Sequence, residues 1–121
     1  MAQGINKVIL IGNLGTDPEV KYTSGNQAVA KFRLATTETY TDRNQQQQSR
    51  TEWHSIVVWG KTAENVNRYL KKGRQVFIEG RIQSRQWDDK EGKKRTTTEV
   101  VANRVLALVR GRLRAGAPAG R

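Results

Sequence analysis

The chain predicts an all-β domain: a five-stranded antiparallel barrel of Greek-key type with one helix between the third and fourth strands. Three observations lead there. Apolar and polar residues alternate with a period of two along several short stretches, as in strands that bury one face. A single stretch, Lys61 to Lys72, switches to helical spacing. Gly80 interrupts a long later strand, where a small barrel turns a corner.

Val8-Ile9-Leu10-Ile11 is a short continuous apolar run, and the first strand is expected over residues 5–14. Gly12, Gly15 and Asp17-Pro18 read as turn signals, and a turn region is expected as far as Ser24-Gly25-Asn26. In residues 28–37, Ala28, Ala30, Phe32 and Leu34 take one side while Lys31 and Arg33 take the other. This is a second strand, antiparallel to the first. Tyr40 to Arg50 reads as a polar connector, with Gln45 to Gln48 as a flexible hairpin tip that has little to pack.

The third strand is expected over residues 52–60. Either parity fits a core here: Trp53, Ser55, Val57 and Trp59 form one set, and His54, Ile56 and Val58 the other. In the helix, Ala63, Val66, Tyr69 and Leu70 share a face. Thr62 is placed to cap its start, Glu64 suits the first turn, and Lys71 and Lys72 the last. Gly73 supplies the left-handed residue that stops it.

The fourth strand is expected over residues 74–87. Val76, Ile78 and Ile82 form its core side; Glu79, Arg81, Gln83, Arg85 and Trp87 lie opposite. Asp88 to Lys93 makes a charged hairpin turn, and residues 95–109, rich in Thr and Val, make the fifth strand. The domain is therefore placed at residues 1–109. Residues 110–121 are Gly, Ala, Arg, Leu and Pro, a composition expected to form a flexible basic tail. Three strands, a helix and two strands is the order of the oligonucleotide-binding fold.

A formal charge of +11 over 121 residues directs attention to polyanions. The last twelve residues carry four of those charges, and the remainder is still basic. With no cysteine there is no disulfide, thiol nucleophile or Cys-based metal site. No apolar run reaches membrane-spanning length and the N-terminus lacks a signal-peptide layout, so a cytoplasmic protein is expected. His54 is the lone histidine and reads as a core or interface residue rather than a general base. Asp88 and Asp89 read as a solvated turn rather than a magnesium site. Gly12-Asn13-Leu14-Gly15 is too short a pattern to mean phosphate binding. No enzyme, cofactor or metal is expected.

The chemistry that remains is binding. Trp87 shares its strand face with Arg81 and Arg85, away from the core set. Rings beside cations on a polar sheet face offer stacking surface for bases and charge for phosphates.

Specific stretches sharpen this. Ile5 to Gly15, Asp17-Pro18-Glu19-Val20, Thr51-Glu52-Trp53-His54, Val57 to Lys61, Tyr69 to Gly73, Val76 to Gly80, Arg85-Gln86-Trp87 and Thr97 to Val101 together resemble the bacterial single-stranded DNA-binding proteins, in order over residues 4–105. The resemblance implies a homotetramer that wraps single-stranded DNA in replication, recombination and repair, in association with the nucleoid. It implies stacking by Tyr40, Trp53, Trp59 and Trp87. Position 59 is usually phenylalanine in that family, and Tyr40 stands where a tryptophan is often found. Phosphate contacts carry over to Arg43, Lys61, Lys71, Lys72, Arg85 and Arg95, with Lys7 and Arg33 added, and His54 carries over to a subunit interface. Family members usually end in an acidic tip that recruits other proteins. This chain ends on Ala115 to Arg121 with no acid, so that role is not assigned. The alternative on the same barrel is a replication-restart or RNA-binding module.

Overall fold

The computed structural model describes residues 3–108. Its elements run β1 (Val8–Leu14), β2 (Glu19–Tyr22), β3 (Ala28–Thr41), β4 (Gln47–Trp59), α1 (Gly60–Tyr69), β5 (Gln75–Asp88) and β6 (Lys94–Ala107). The barrel closes because β1 pairs with β5, β5 with β6, β6 with β4, β4 with β3, and β3 again with β1. These are the five strands and single helix expected, in an oligonucleotide-binding fold.

Four of the five seams are antiparallel. The fifth, β4 with β6, is parallel from Ile56↔Val100 to Val58↔Ala102. The Greek-key order produces it, since α1 and β5 intervene before β6 returns beside β4. Leu14, Leu34, Ile56, Val58, Val76 and Ile78 are sealed inside, joined by Ala63, Val66 and Leu70 from and just after the helix. Burying each large aliphatic side chain contributes about 1.5–3 kcal/mol.

Several local expectations are corrected. The turn region after the first strand contains β2, which shares one edge of β3 with β1: β2 covers Ala28 to Lys31, and β1 takes Leu34 and Ala35. The first strand starts at Val8, not at residue 5. Ahead of it, Asn6 grips β5 by its side chain, donating to the Ile82 carbonyl at 2.8 Å and accepting from the Ile82 N–H at 2.9 Å.

The polar connector is largely strand. The β3–β4 ladder continues to Thr41↔Gln47 as a two-stranded ribbon. Asp42 closes the tip, where its Oδ1 accepts from the Asn44 and Gln46 N–H groups at 2.9 and 3.0 Å. Ladder hydrogen bonds hold residues that are polar on both sides, and hydrophobic periodicity is blind to them.

The helix begins at Gly60 with no side-chain cap, so Thr62 lies inside it. It ends at Tyr69 because Leu70 turns extended and drops into the core. Lys71 and Lys72 therefore lie beyond it. Gly73 does not stop the helix; at φ +92° it redirects the chain, and its N–H donates to the Leu14 carbonyl at 2.8 Å.

At Gly80 the register shifts as expected. Glu79 faces Arg104 and Gly80 faces Ala102, which leaves Asn103 as the extra residue on β6. A Cβ on Gly80 would overlap the Val101 carbonyl, so only glycine admits this approach. Ile82, expected on the core side, is exposed, because β5 and β6 leave the barrel there as a second ribbon. The tail assigned to residues 110–121 lies outside the described residues.

Candidate nucleic-acid interface

The parity of β4 is decided by its neighbours. Ile56 and Val58 are fully buried and His54 is half-buried, its Nε2 lying 2.9 Å from Thr36 Oγ1. The other parity therefore faces outward, and Trp53 and Trp59 are 50% and 43% exposed. Between them on the same face, β3 places Arg33 opposite Ser55 and Lys31 opposite Val57. The Arg33 guanidinium lies 5.7 Å from the centre of the Trp53 ring, a cation–π distance.

β6 and β5 extend this face. Glu99, Val101 and Asn103 alternate with core residues on β6, and Arg81, Gln83, Arg85 and Trp87 follow on β5. Trp87 is 43% exposed and stands opposite Arg95. Its indole N–H donates to Thr97 Oγ1 at 2.8 Å, which orients the ring while leaving it open. Arg85 Nε is 3.4 Å from Glu99 Oε1, and Arg95 Nε is 2.8 Å from Asp89 Oδ2.

Tyr40 sits on the first ribbon, half-exposed, with the Arg50 guanidinium 5.2 Å from its ring. Arg43 lies exposed in the ribbon tip, next to the half-buried Asp42. Lys61 is exposed on the first turn of α1, directly after Trp59. Lys71 and Lys72 are exposed in the segment after the helix, where Asp17 Oδ1 accepts from the Lys72 N–H at 2.8 Å. Lys7 lines a cleft with Trp59 and Arg81, with its ammonium 2.7 Å from Glu79.

Sequence reasoning passed over Lys31, Arg50 and Glu99. Lys31 was within reach, since it shares parity with Arg33. Arg50 was hidden because its segment did not read as strand. Glu99 was hidden because a carboxylate in a Thr/Val strand shows no sign of its burial.

Three carboxyls are held below their ordinary values. For Glu79 the first cause is the hydrogen bond and charge of Lys7. For Asp42 it is the Gln46 N–H, and for Asp89 the Lys93 N–H followed by the Arg95 side chain. The last two are the closing residues of the two ribbon tips, so each tip is built around an ionised carboxylate. Among the described residues, no group of three or more His, Cys, Asp or Glu is placed to hold a metal ion. No helix among them is long and apolar enough to cross a membrane.

The chain has relatives among known proteins. The model of the single-strand binding protein family matches residues 5–108. The chain belongs to that family. Within the single-strand binding proteins it is 57% identical over 109 residues to single-stranded DNA-binding protein 1 of Chlorobaculum tepidum, covering 89% of this chain and 67% of that one. It is 53% identical over 104 residues to the single-stranded DNA-binding protein of Neisseria meningitidis serogroup B, covering 86% of this chain. The match spans 60% of the length of that relative. Among solved structures of single-strand binding proteins, the Plasmodium falciparum SSB complex with ssDNA superposes with a TM-score of 0.84 at 33% identity, over 90% of this chain and 99% of that one. A deletion mutant of the single-stranded DNA-binding protein from Thermus aquaticus gives 0.81 at 34% identity, over 92% and 54%.

Proposed function

We propose that this domain, residues 1–109, binds single-stranded DNA with little regard to sequence. Bases stack on Trp53, Trp59, Trp87 and Tyr40 while Lys and Arg side chains take the phosphates. The observation that carries this is one sheet face on which half-exposed indoles alternate with cations, Arg33 being 5.7 Å from the Trp53 ring. Stacking contributes on the order of 1–3 kcal/mol per base and is indifferent to which base it is. The similarity to the Plasmodium falciparum SSB in its ssDNA complex supports the same reading.

The phosphate partners are Arg33, Arg43, Lys61, Lys71, Lys72, Arg85 and Arg95, with Lys7 contributing beside its acidic partner Glu79. The protein acts in the cytoplasm on DNA opened for replication, recombination and repair, by binding rather than by catalysis. It does so as a homotetramer with His54 at a subunit interface. Ile9 and Ile11 support assembly, since both stand exposed on the outer side of β1, and β1, Thr36 and His54 line one cleft.

Tryptophan fluorescence tests the binding. Adding oligo(dT) at low salt quenches it, and an RNA oligomer of equal length competes less well. Unchanged fluorescence with a saturating excess of oligo(dT) would reject the proposal. Stronger competition by RNA would move the function to an RNA-binding module. Solution mass of four chains is the expected outcome for assembly.

A further inference from the structure

The two ribbon tips are one turn used twice. Each starts from an aromatic residue, Tyr40 or Trp87, with an aspartate two positions on, Asp42 or Asp89. Asp42 Oδ1 accepts from the Asn44 and Gln46 N–H groups, and Asp89 Oδ1 from those of Glu91 and Lys93. The next turn residue is left-handed in both, Gln45 at φ 61° and Gly92 at φ 81°. The second carboxylate oxygen, Oδ2, accepts from the side chain that stands directly across the ladder from the ring: Gln48 opposite Tyr40, Arg95 opposite Trp87.

Only that last side chain differs in kind. Gln48 is a neutral amide, whose Nε2 donates to Asp42 at 3.1 Å. Arg95 carries a charge, and its Nε donates to Asp89 at 2.8 Å. An exposed ion pair ordinarily holds little, because both side chains are loose. The Asp89 carboxylate is not loose. Two backbone N–H groups fix its Oδ1, and its side chain is 16% exposed against 55% for Arg95. Contact through Nε also leaves the Nη groups of the guanidinium for a further acceptor such as a phosphate.

We infer that Asp89 is a positioning residue for single-stranded DNA: it holds the Arg95 guanidinium beside the Trp87 ring, so that a base stacks while a neighbouring phosphate meets a cation already in place. The inference rests on the proposal that Trp87 and Arg95 take DNA. Thr97 orients the ring through the indole N–H, and Asp89 orients the charge. Ordering a long side chain is then a cost of folding and not of binding. An acid thereby strengthens the grip on a polyanion.

Charge alone predicts the opposite sign, since removing a carboxylate favours an incoming phosphate. Asp89→Asn separates the two. The amide keeps an oxygen for the turn N–H groups but puts an NH2 donor where Arg95 needs an acceptor. Asp42→Asn is the control, with the same turn and the same lost charge but no arginine held. In fluorescence titrations with oligo(dT), Asp89→Asn is expected to bind roughly threefold to tenfold more weakly than wild type. Asp42→Asn is expected to match wild type or bind slightly tighter. In an Arg95→Ala background, Asp89→Asn is expected to have no effect. Arg95→Lys, which keeps the charge without the planar fork, is expected to bind about as weakly as Arg95→Ala.

Unchanged or tighter binding by Asp89→Asn overturns the inference. So does an equal loss in Asp42→Asn, or the same loss with Arg95→Ala in place, for either would show that the tip acts without Arg95. Wild-type affinity in Arg95→Lys overturns it too, a measurement that stands even where the Asp89 variant fails to fold. No quenching of wild type by oligo(dT) would instead reject the underlying binding function.

Discussion

The six-membered ring of Trp53 lies directly over the backbone of Gly15. A Cβ built at position 15 would overlap the ring at Cζ3 and approach its Cη2 to 2.9 Å. The glycine is thus a seat for the indole rather than part of a phosphate loop. The Gly15 N–H donates to the Arg33 carbonyl at 2.7 Å, and the Arg33 guanidinium reaches the same ring. One short loop therefore positions both a stacking surface and its neighbouring cation.

Gly15→Ala should weaken DNA binding more than it weakens the fold. The half-exposed ring has room to swing away, so the unfolding free energy is expected to change by less than about 1 kcal/mol, below the overpacking cost in a closed core. Losing the ring's orientation forfeits part of one stacking contact, for a drop of roughly threefold to tenfold in affinity. Urea unfolding and fluorescence titration on the same sample separate the two. A large loss of stability with unchanged affinity would mean that the contact serves packing alone.

Trp87→Ala is expected to cost about 1–3 kcal/mol of binding free energy, one stacked base, with the thermal midpoint nearly unmoved. Trp87 lies on the second ribbon, outside the sealed core, and its one polar tie is to Thr97. Trp87→Phe should recover most of the binding, because a flat ring remains. Collapse of the fold in Trp87→Ala would make the residue structural.

Affinity should fall with salt at a log–log slope of about −0.7 per phosphate neutralised. Arg33→Ala is expected to reduce the steepness by about that amount. Lys7→Ala should reduce it less, because the Lys7 ammonium is already 2.7 Å from Glu79. Titrations across a salt series for both variants decide the order. Equal changes in slope would show that Glu79 does not withhold Lys7 from DNA.

Acid should loosen the molecule through three carboxyls. Glu79, Asp42 and Asp89 are all held below their ordinary values in the folded chain. Their stabilising contribution is present above the unfolded values, 4.5 for Glu79 and 3.8 for the two aspartates, and is lost as pH falls through the lower folded values. Thermal midpoints should thus decline below about pH 4.5, and Glu79→Gln should flatten the upper part of that decline. Hydrogen exchange should show faster opening of both ribbon tips at still lower pH. Flat midpoints down to pH 3 would contradict the linkage.

Much of this was legible in the chain because it depends on near neighbours. Strand parity put Ala28, Ala30, Phe32 and Leu34 inward and left Trp87 with Arg85, since successive side chains must alternate. Gly80 announced the bulge because a Cβ has no place where two strands cross closely. What depends on partners distant in sequence was not legible. The ribbon from Tyr40 to Arg50 forms because β3 and β4 pair through their backbones, whatever their side chains are. The outward turn of Trp53 and Trp59 was chosen by the closing of the barrel around Ile56 and Val58, and the burial of Glu99 by the parallel seam of β6 with β4. Alternation is a property of one strand, whereas which side is sealed, and what is trapped there, follows only when all five strands meet.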